Sequence, residues 1–191
     1  GMFGPNLLND NPESLILIND ICNRAGVDTI STGGTVGFAI ECYEKGLITE
    51  KETDGLKLEW GNAELIVNLT KKICNIEGNF GRLFGNGIRC ASDIIPGSEE
   101  LAMHVNGQEL PAHDAKYGPG WGTFYMVDAT PGRHTQACQN SYENGNGIAG
   151  FNLPKLQKYV YSGKGEVAAR THNLFHTLHS LGLCRFALFR I

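Results

Sequence analysis

Apolar residues at helical spacing, closed off by glycine or asparagine, are the feature that most restricts the fold of this chain. Leu15, Ile18, Ile21 and Cys22 mark one face of a helix expected over 11–25, with Asn11 as its cap, Pro12 in the first turn and Gly26 at the exit. The same pattern predicts a helix over 35–45 stopped by Gly46, and another after Asn62 that carries Leu65, Ile66, Leu69 and Ile73 toward Gly78. A further helix is expected over 83–94, then a short turn capped by Ser98. Thr49 to Glu52 has the form of a capping box that closes at Gly55. Residues 103–111 lack the helical period and are bracketed by Gly and Pro, which reads as extended chain or a small hairpin. Residues 130–154 are polar and Gly-rich and read as a long loop; helical pattern returns after Pro154, with Leu174, Phe175, Leu178 and Leu181 carried by 172–183. No long strand alternates with these helices. The expected fold is therefore mainly α, with two small helical lobes over 2–102 and 103–191 and a short hairpin or extended segment between them.

A chain of 191 residues can bury a sizeable core. Its formal charge of −4 and lack of a basic stripe argue against nucleic acid as a partner. No apolar run approaches the roughly 20 residues that span a bilayer, and no secretory signal layout is present. The six cysteines, Cys22, Cys42, Cys74, Cys90, Cys138 and Cys184, stand far apart with no CxxC pair. They read mostly as buried, reduced thiols of a cytoplasmic protein. Gly145-Asn-Gly147-Ile-Ala-Gly150 fits the letters of a dinucleotide fingerprint, but Phe151-Asn-Leu-Pro154 follows where a helix should begin, so it reads as a turn. Asn68-Leu-Thr70 sits inside an expected helix and is discounted as a glycosylation acceptor.

Two segments are alike beyond what composition explains: Asn23-Arg-Ala-Gly26-Val-Asp28 and His179-Ser-Leu-Gly182-Leu-Cys184. Each ends a helix, turns at Gly and sets a carboxylate or thiol two residues later. As plain helix stops they need no ligand. As a repeated device, the glycine would let a flat ligand approach the backbone while the last side chain points inward.

These segments resemble the paired DxxGL(D/C) motifs of the aldehyde ferredoxin oxidoreductase family. Cys22 to Ser31 is similar to the start of that family's helical second domain. Gly78-Asn-Phe-Gly81, Ala102 to Pro111 and Ala129-Thr-Pro-Gly-Arg-His-Thr135 resemble its later blocks, in the same order. The resemblance covers nearly the whole chain and implies lobes matching domain 2 and part of domain 3. It implies a tungsten or molybdenum bis-pterin beside a [4Fe–4S] cluster, oxidation of aldehydes to carboxylic acids, and ferredoxin as electron acceptor. By the same matching, Asn23 and Asp28 would serve one pterin, His179 and Cys184 lie at the other, and Cys184 would be one of four cluster thiolates. His134 matches a histidine that moves a proton near the metal, with Arg133 beside it able to orient a carboxylate. Asn23 and His179 stand where the family typically has Asp, and a neutral imidazole offers a single acceptor nitrogen. The family's CxxCxxxC run, its N-terminal β domain and an acidic residue near the metal precede the matched region. The expectation is thus of a fragment, inactive alone, that needs the missing N-terminal segment. The rival expectation is a non-catalytic helical remnant or interaction protein derived from that enzyme.

Overall fold

A computed structural model describes residues 1–130, 132–136, 139–148 and 150–185, excluding the side chains of Gln139 and Asn140. Cys138 lies outside the described residues. Among them, eight α-helices and one two-stranded sheet form the regular structure, so the chain is mainly α, as the sequence pattern predicts. None of these helices is long and apolar enough to cross a membrane. The chain divides into two compact units, Gly1–Ala112 and His113–Ile191. The hairpin expected over 103–111 forms within the first of them.

In the first unit, α1 (Pro12–Ala25) begins as the sequence implies: the Asn11 side chain accepts from the Ser14 N–H at 2.9 Å. The next helix, α2 (Thr29–Glu44), starts six residues ahead of the expected Thr35. Its first turn, Thr29-Ile-Ser-Thr-Gly-Gly34, has no apolar period. It is helical because Asp28 accepts from the Ser31 N–H at 2.8 Å, while the hydroxyls of Thr32 and Thr35 donate to carbonyls one turn back. Nine of the sixteen residues of α2 are buried, which makes it the centre of the unit. Val36 and Ile40 of α2 pack with Ile66 and Leu69 of α3 (Ala63–Asn75) and with Phe80 and Phe84, all fully buried. Each such side chain contributes about 1.5–3 kcal/mol by leaving water.

The helix expected over 83–94 is two helices, α4 (Gly78–Phe84) and α5 (Gly87–Ser92). Neither has a side-chain cap from its own N-cap residue. For α4 the cap is the Asp54 carboxylate, which accepts from the N–H groups of Asn79 at 2.8 Å and Phe80 at 3.4 Å and from Lys72 at 3.0 Å. These bonds, the Asn79 N–H first, hold the Asp54 carboxyl below its usual range. For α5 the cap is Glu109, whose buried carboxylate accepts from the Ile88 N–H at 2.8 Å. Glu109 belongs to the hairpin of β1 (His104–Val105) and β2 (Gln108–Glu109), antiparallel with His104 opposite Glu109. Ser98 does not cap the 3-10 turn Glu99–Leu101. Its hydroxyl instead bonds to Ser92 Oγ and the Ile95 carbonyl. Thr49 and Glu52 make the backward half of the expected box, with Thr49 N–H donating to Glu52 at 2.8 Å, in a turn rather than a helix.

The second unit contains α6 (Pro119–Val127), α7 (Gln139–Glu143) and α8 (Lys164–Ser180). The sequence pattern predicts neither α6 nor α7, while α8 lies within the stretch after Pro154 where helical pattern is expected. Buried Glu143 joins all three: one oxygen accepts from the Gly120 N–H of α6 at 3.1 Å, and the other pairs with the Lys164 ammonium. The two side chains are 1% and 3% exposed, and Lys164 also donates to the Lys158 carbonyl at 2.6 Å. Tyr142, Ile148, Leu156, Val167 and Phe175 form the apolar core beside them. Gly145 to Ile148 turn back on Tyr142, whose hydroxyl accepts from the Ile148 N–H and donates to the Phe151 carbonyl.

Removing one partner of a buried ion pair leaves the other charge uncompensated, which costs about 3–5 kcal/mol. Glu143→Ala should lower the unfolding free energy of the second unit by that order in a urea titration. The double variant Glu143→Leu/Lys164→Met, which removes both charges, should recover part of the loss, since the Gly120 N–H and the Lys158 carbonyl lose their partners.

Candidate functional site

The two look-alike segments fold alike. After α1, the Gly26 N–H donates to the Asn23 carbonyl at 3.3 Å and the Val27 N–H to the Cys22 carbonyl at 3.0 Å. After α8, the Gly182 N–H donates to the His179 carbonyl at 3.0 Å and the Leu183 N–H to the Leu178 carbonyl at 2.9 Å. Gly26 and Gly182 have φ of 72° and 73°, a left-handed conformation that L side chains rarely adopt. Both glycines are exposed, and a Cβ on either would meet nothing within 4 Å. Each turn is therefore an ordinary helix stop and also an open approach to the backbone.

The polar side chains of these turns are on the surface. Asn23, Asp28, His179 and Cys184 are all exposed, so the last residue of each motif does not point inward within this chain. The reason for Asp28 is local: one carboxylate oxygen caps α2 through Ser31, and that cap turns the side chain along the surface. Its other oxygen remains available as an acceptor. Asn23 and Asp28 belong to the first unit, and His134, His179 and Cys184 belong to the second.

Within the second unit the loop of residues 132–136 is tied to the end of α8 at two points. His179 Nδ1 lies 2.8 Å from the Gln136 side-chain oxygen, and Arg185 donates to the His134 carbonyl at 2.8 Å. An amide oxygen as partner requires the proton on Nδ1, which leaves His179 Nε2 as the acceptor. The His134 ring is half-buried, 5.0 Å between centroids from His113 and 6.2 Å from Trp121. His113 stacks on Trp121 at 4.4 Å with 11° between planes, and its carbonyl accepts from the Tyr125 hydroxyl at 2.8 Å. Arg133 is exposed. His113, Trp121, Gln136 and Arg185 carry no sequence signal of their own, because their partners lie far along the chain.

The loop is anchored at its start by Asp128, which ends α6. One oxygen accepts from the Thr130 N–H at 2.7 Å, and the other, buried, lies 3.6 Å from His172 Nε2 without a hydrogen bond. Burial pushes the His172 titration down, a shift opposed by the Asp128 charge and aided by His176. His113 is lowered as well, by burial first and then by Arg185.

The cysteines depart from the expectation of mostly buried thiols. Cys22 and Cys42 are buried, Cys74 is half-buried, and Cys90 and Cys184 are exposed. Burial raises the Cys22 thiol to about 12, far from a reactive thiolate at neutral pH. Among the described residues no group of three or more His, Cys, Asp and Glu side chains could hold a metal ion. The exposed acceptors around open glycines fit a flat ligand rich in N–H donors. A four-thiolate cluster does not fit the described residues alone, since they hold no group of three or more such ligands around Cys184.

Because His113 and His172 resist protonation when folded, the unfolded chain binds more protons as pH falls through the ordinary value near 6.5. Their contribution to stability is therefore present above that pH and is lost on acidification. Urea midpoints should fall between pH 7.5 and pH 5.5, and His172→Gln should flatten that dependence.

A sequence profile described as aldehyde ferredoxin oxidoreductase, domains 2 and 3, matches residues 1–190. The tungsten-containing aldehyde ferredoxin oxidoreductase of Pyrococcus furiosus is 34% identical over 188 residues, which cover 98% of this chain and 30% of that protein. The protein of the same description from Thermococcus kodakarensis is 32% identical with the same coverage. An aliphatic sulfonate oxidoreductase, WOR-like subunit, of Pyrococcus furiosus is 32% identical over 143 residues, 71% of this chain and 23% of that protein. The chain thus spans about 30% of the length of the tungsten-containing relatives it matches. With paired glycine turns, the loop of His134 and a profile match along almost its entire length, the chain belongs to the aldehyde ferredoxin oxidoreductase family, in the part that corresponds to domains 2 and 3.

Proposed function

We propose that this chain is part of a cytoplasmic tungsten- or molybdenum-pterin, iron–sulfur enzyme that oxidises aldehydes to carboxylic acids and passes the electrons to ferredoxin. The first unit would correspond to domain 2 and the second to part of domain 3. The observation that carries the reading is the second glycine turn, bound through His179–Gln136 and Arg185–His134 to the loop that holds the half-buried His134 imidazole. A plain helix stop has no need of two polar ties to a histidine loop.

When bound, the metal–pterin group would supply the two-electron redox chemistry. Asn23 through its carbonyl and Asp28 through its free carboxylate oxygen would accept from the N–H donors of one pterin, and His179 Nε2 from the other. The glycine turns would let those rings approach the backbone. Cys184 would supply one of the cluster's four thiolates. His134 would hold and move a proton beside the reacting carbon, a task for which imidazole side chains are suited. The remaining cluster ligands and the rest of the cradle would come from the N-terminal segment of the longer enzyme.

Aldehyde-dependent reduction of a viologen dye tests this reading. The 191-residue chain alone should show no turnover and no stoichiometric four-iron content, and the full enzyme should show both. In the full enzyme His134→Ala should lower turnover about 10²- to 10⁴-fold with metal content unchanged. Full activity in that variant would remove His134 from the mechanism. A full-length protein that binds neither metal nor iron would favour a non-catalytic helical remnant.

A further inference from the structure

Oxidation of an aldehyde with water gives a carboxylic acid, two protons and two electrons. The electrons have an acceptor in the reading above, and the protons need a way out. His134 is half-buried, so its access to bulk water is restricted. Beside it lies His113, whose ring centroid is 5.0 Å away at an interplanar angle of 48°. At that separation and tilt the ring edges can meet directly or across one bridging water. His113 reaches solvent although one face of its ring is covered by Trp121, so it is the more accessible member of the pair.

We propose that His113 is the positioning and relay partner of His134: it accepts the proton from the His134 imidazolium and releases it to solvent. The inference rests on the aldehyde-oxidising reading for its purpose, although the contact between the rings exists without it. No bond other than N–H is made or broken. The proton leaves a His134 ring nitrogen for a His113 ring nitrogen, and a second transfer to water restores neutral His113.

The surroundings suit such a role. The stack on buried Trp121 and the bond from Tyr125 to its carbonyl fix His113 against α6, so its ring does not swing away. Among the described residues Arg185 acts on the pair, and Arg133, Asp114 and Lys116 adjoin it along the sequence. Burial and Arg185 push the His113 titration down, which keeps its lone pair free at neutral pH. A neutral neighbour that accepts from the imidazolium also stabilises it, so His113 should raise the proton affinity of His134.

The test is a nuclear magnetic resonance titration of labelled histidine in the 191-residue chain, which requires no metal or pterin. His113→Phe keeps a flat ring on Trp121 but removes the acceptor. It should lower the His134 midpoint by about one pH unit, a tenfold loss of proton affinity. His113→Gln keeps an acceptor and should retain most of the wild-type midpoint. Amide spectra of both variants establish that the unit remains folded. An unchanged midpoint in His113→Phe would overturn the proposal. Equal shifts in the two variants would also overturn it, because they would assign the effect to packing. In the full enzyme, His113→Phe should move the acid limb of the pH–rate profile, whereas a stacking role alone would not. A normal coupling in the chain together with full activity of His134→Ala would sink the catalytic reading while leaving the histidine pair intact.

Discussion

Carboxylates from distant parts of the chain close the N-termini of three helices that lack side-chain caps of their own. Asp54 closes α4, Glu109 closes α5 and Glu143 closes α6, across sequence separations of 21 to 26 residues. The helices are seven, six and nine residues long, too short to persist in water by themselves. Their first N–H groups need acceptors, and the partial positive charge at a helix start favours an anion. Each carboxylate thus turns a marginal local structure into one that depends on the packed unit. The residues around His134 inherit that dependence, since Trp121 sits one residue beyond the Gly120 N–H that Glu143 receives.

This explains which parts of the fold are legible in the sequence. Helices α1 and α3 are readable because Asn11 and Asn62 cap them locally and apolar residues repeat at helical spacing. The break between α4 and α5, and the whole of α6, are not, because the groups that stabilise them lie more than twenty residues away. The early start of α2 falls between these cases. The sequence presents Asp28 as the last residue of a glycine turn and not as the cap it is, and Thr29–Gly34 has no apolar pattern to extend the helix backward.

The candidate site divides in the same way. The two glycine turns stand out in the sequence as paired short motifs, and their hydrogen bonds are the same. The ties that give the second turn its place, Gln136 to His179 and Arg185 to His134, span 43 and 51 residues. No local pattern announces them. His179, which the motif resemblance sets where an Asp is expected, also gains a physical context: its Nδ1 engages Gln136, so the imidazole faces the surface with one defined acceptor where a carboxylate would face it with several.

The buried Glu143–Lys164 pair has a consequence for motion. Lys164 begins α8, whose N-cap Gly163 offers no side-chain cap, and the helix runs 17 residues to the turn that holds His179, about 26 Å at the usual rise. The ammonium is bound to a carboxylate from α7 that also holds the start of α6. Unwinding the first turn of α8 would expose two charges and free the beginning of α6 in the same event. Opening at this point therefore couples the starts of α6 and α8 through α7 rather than fraying one helix end alone.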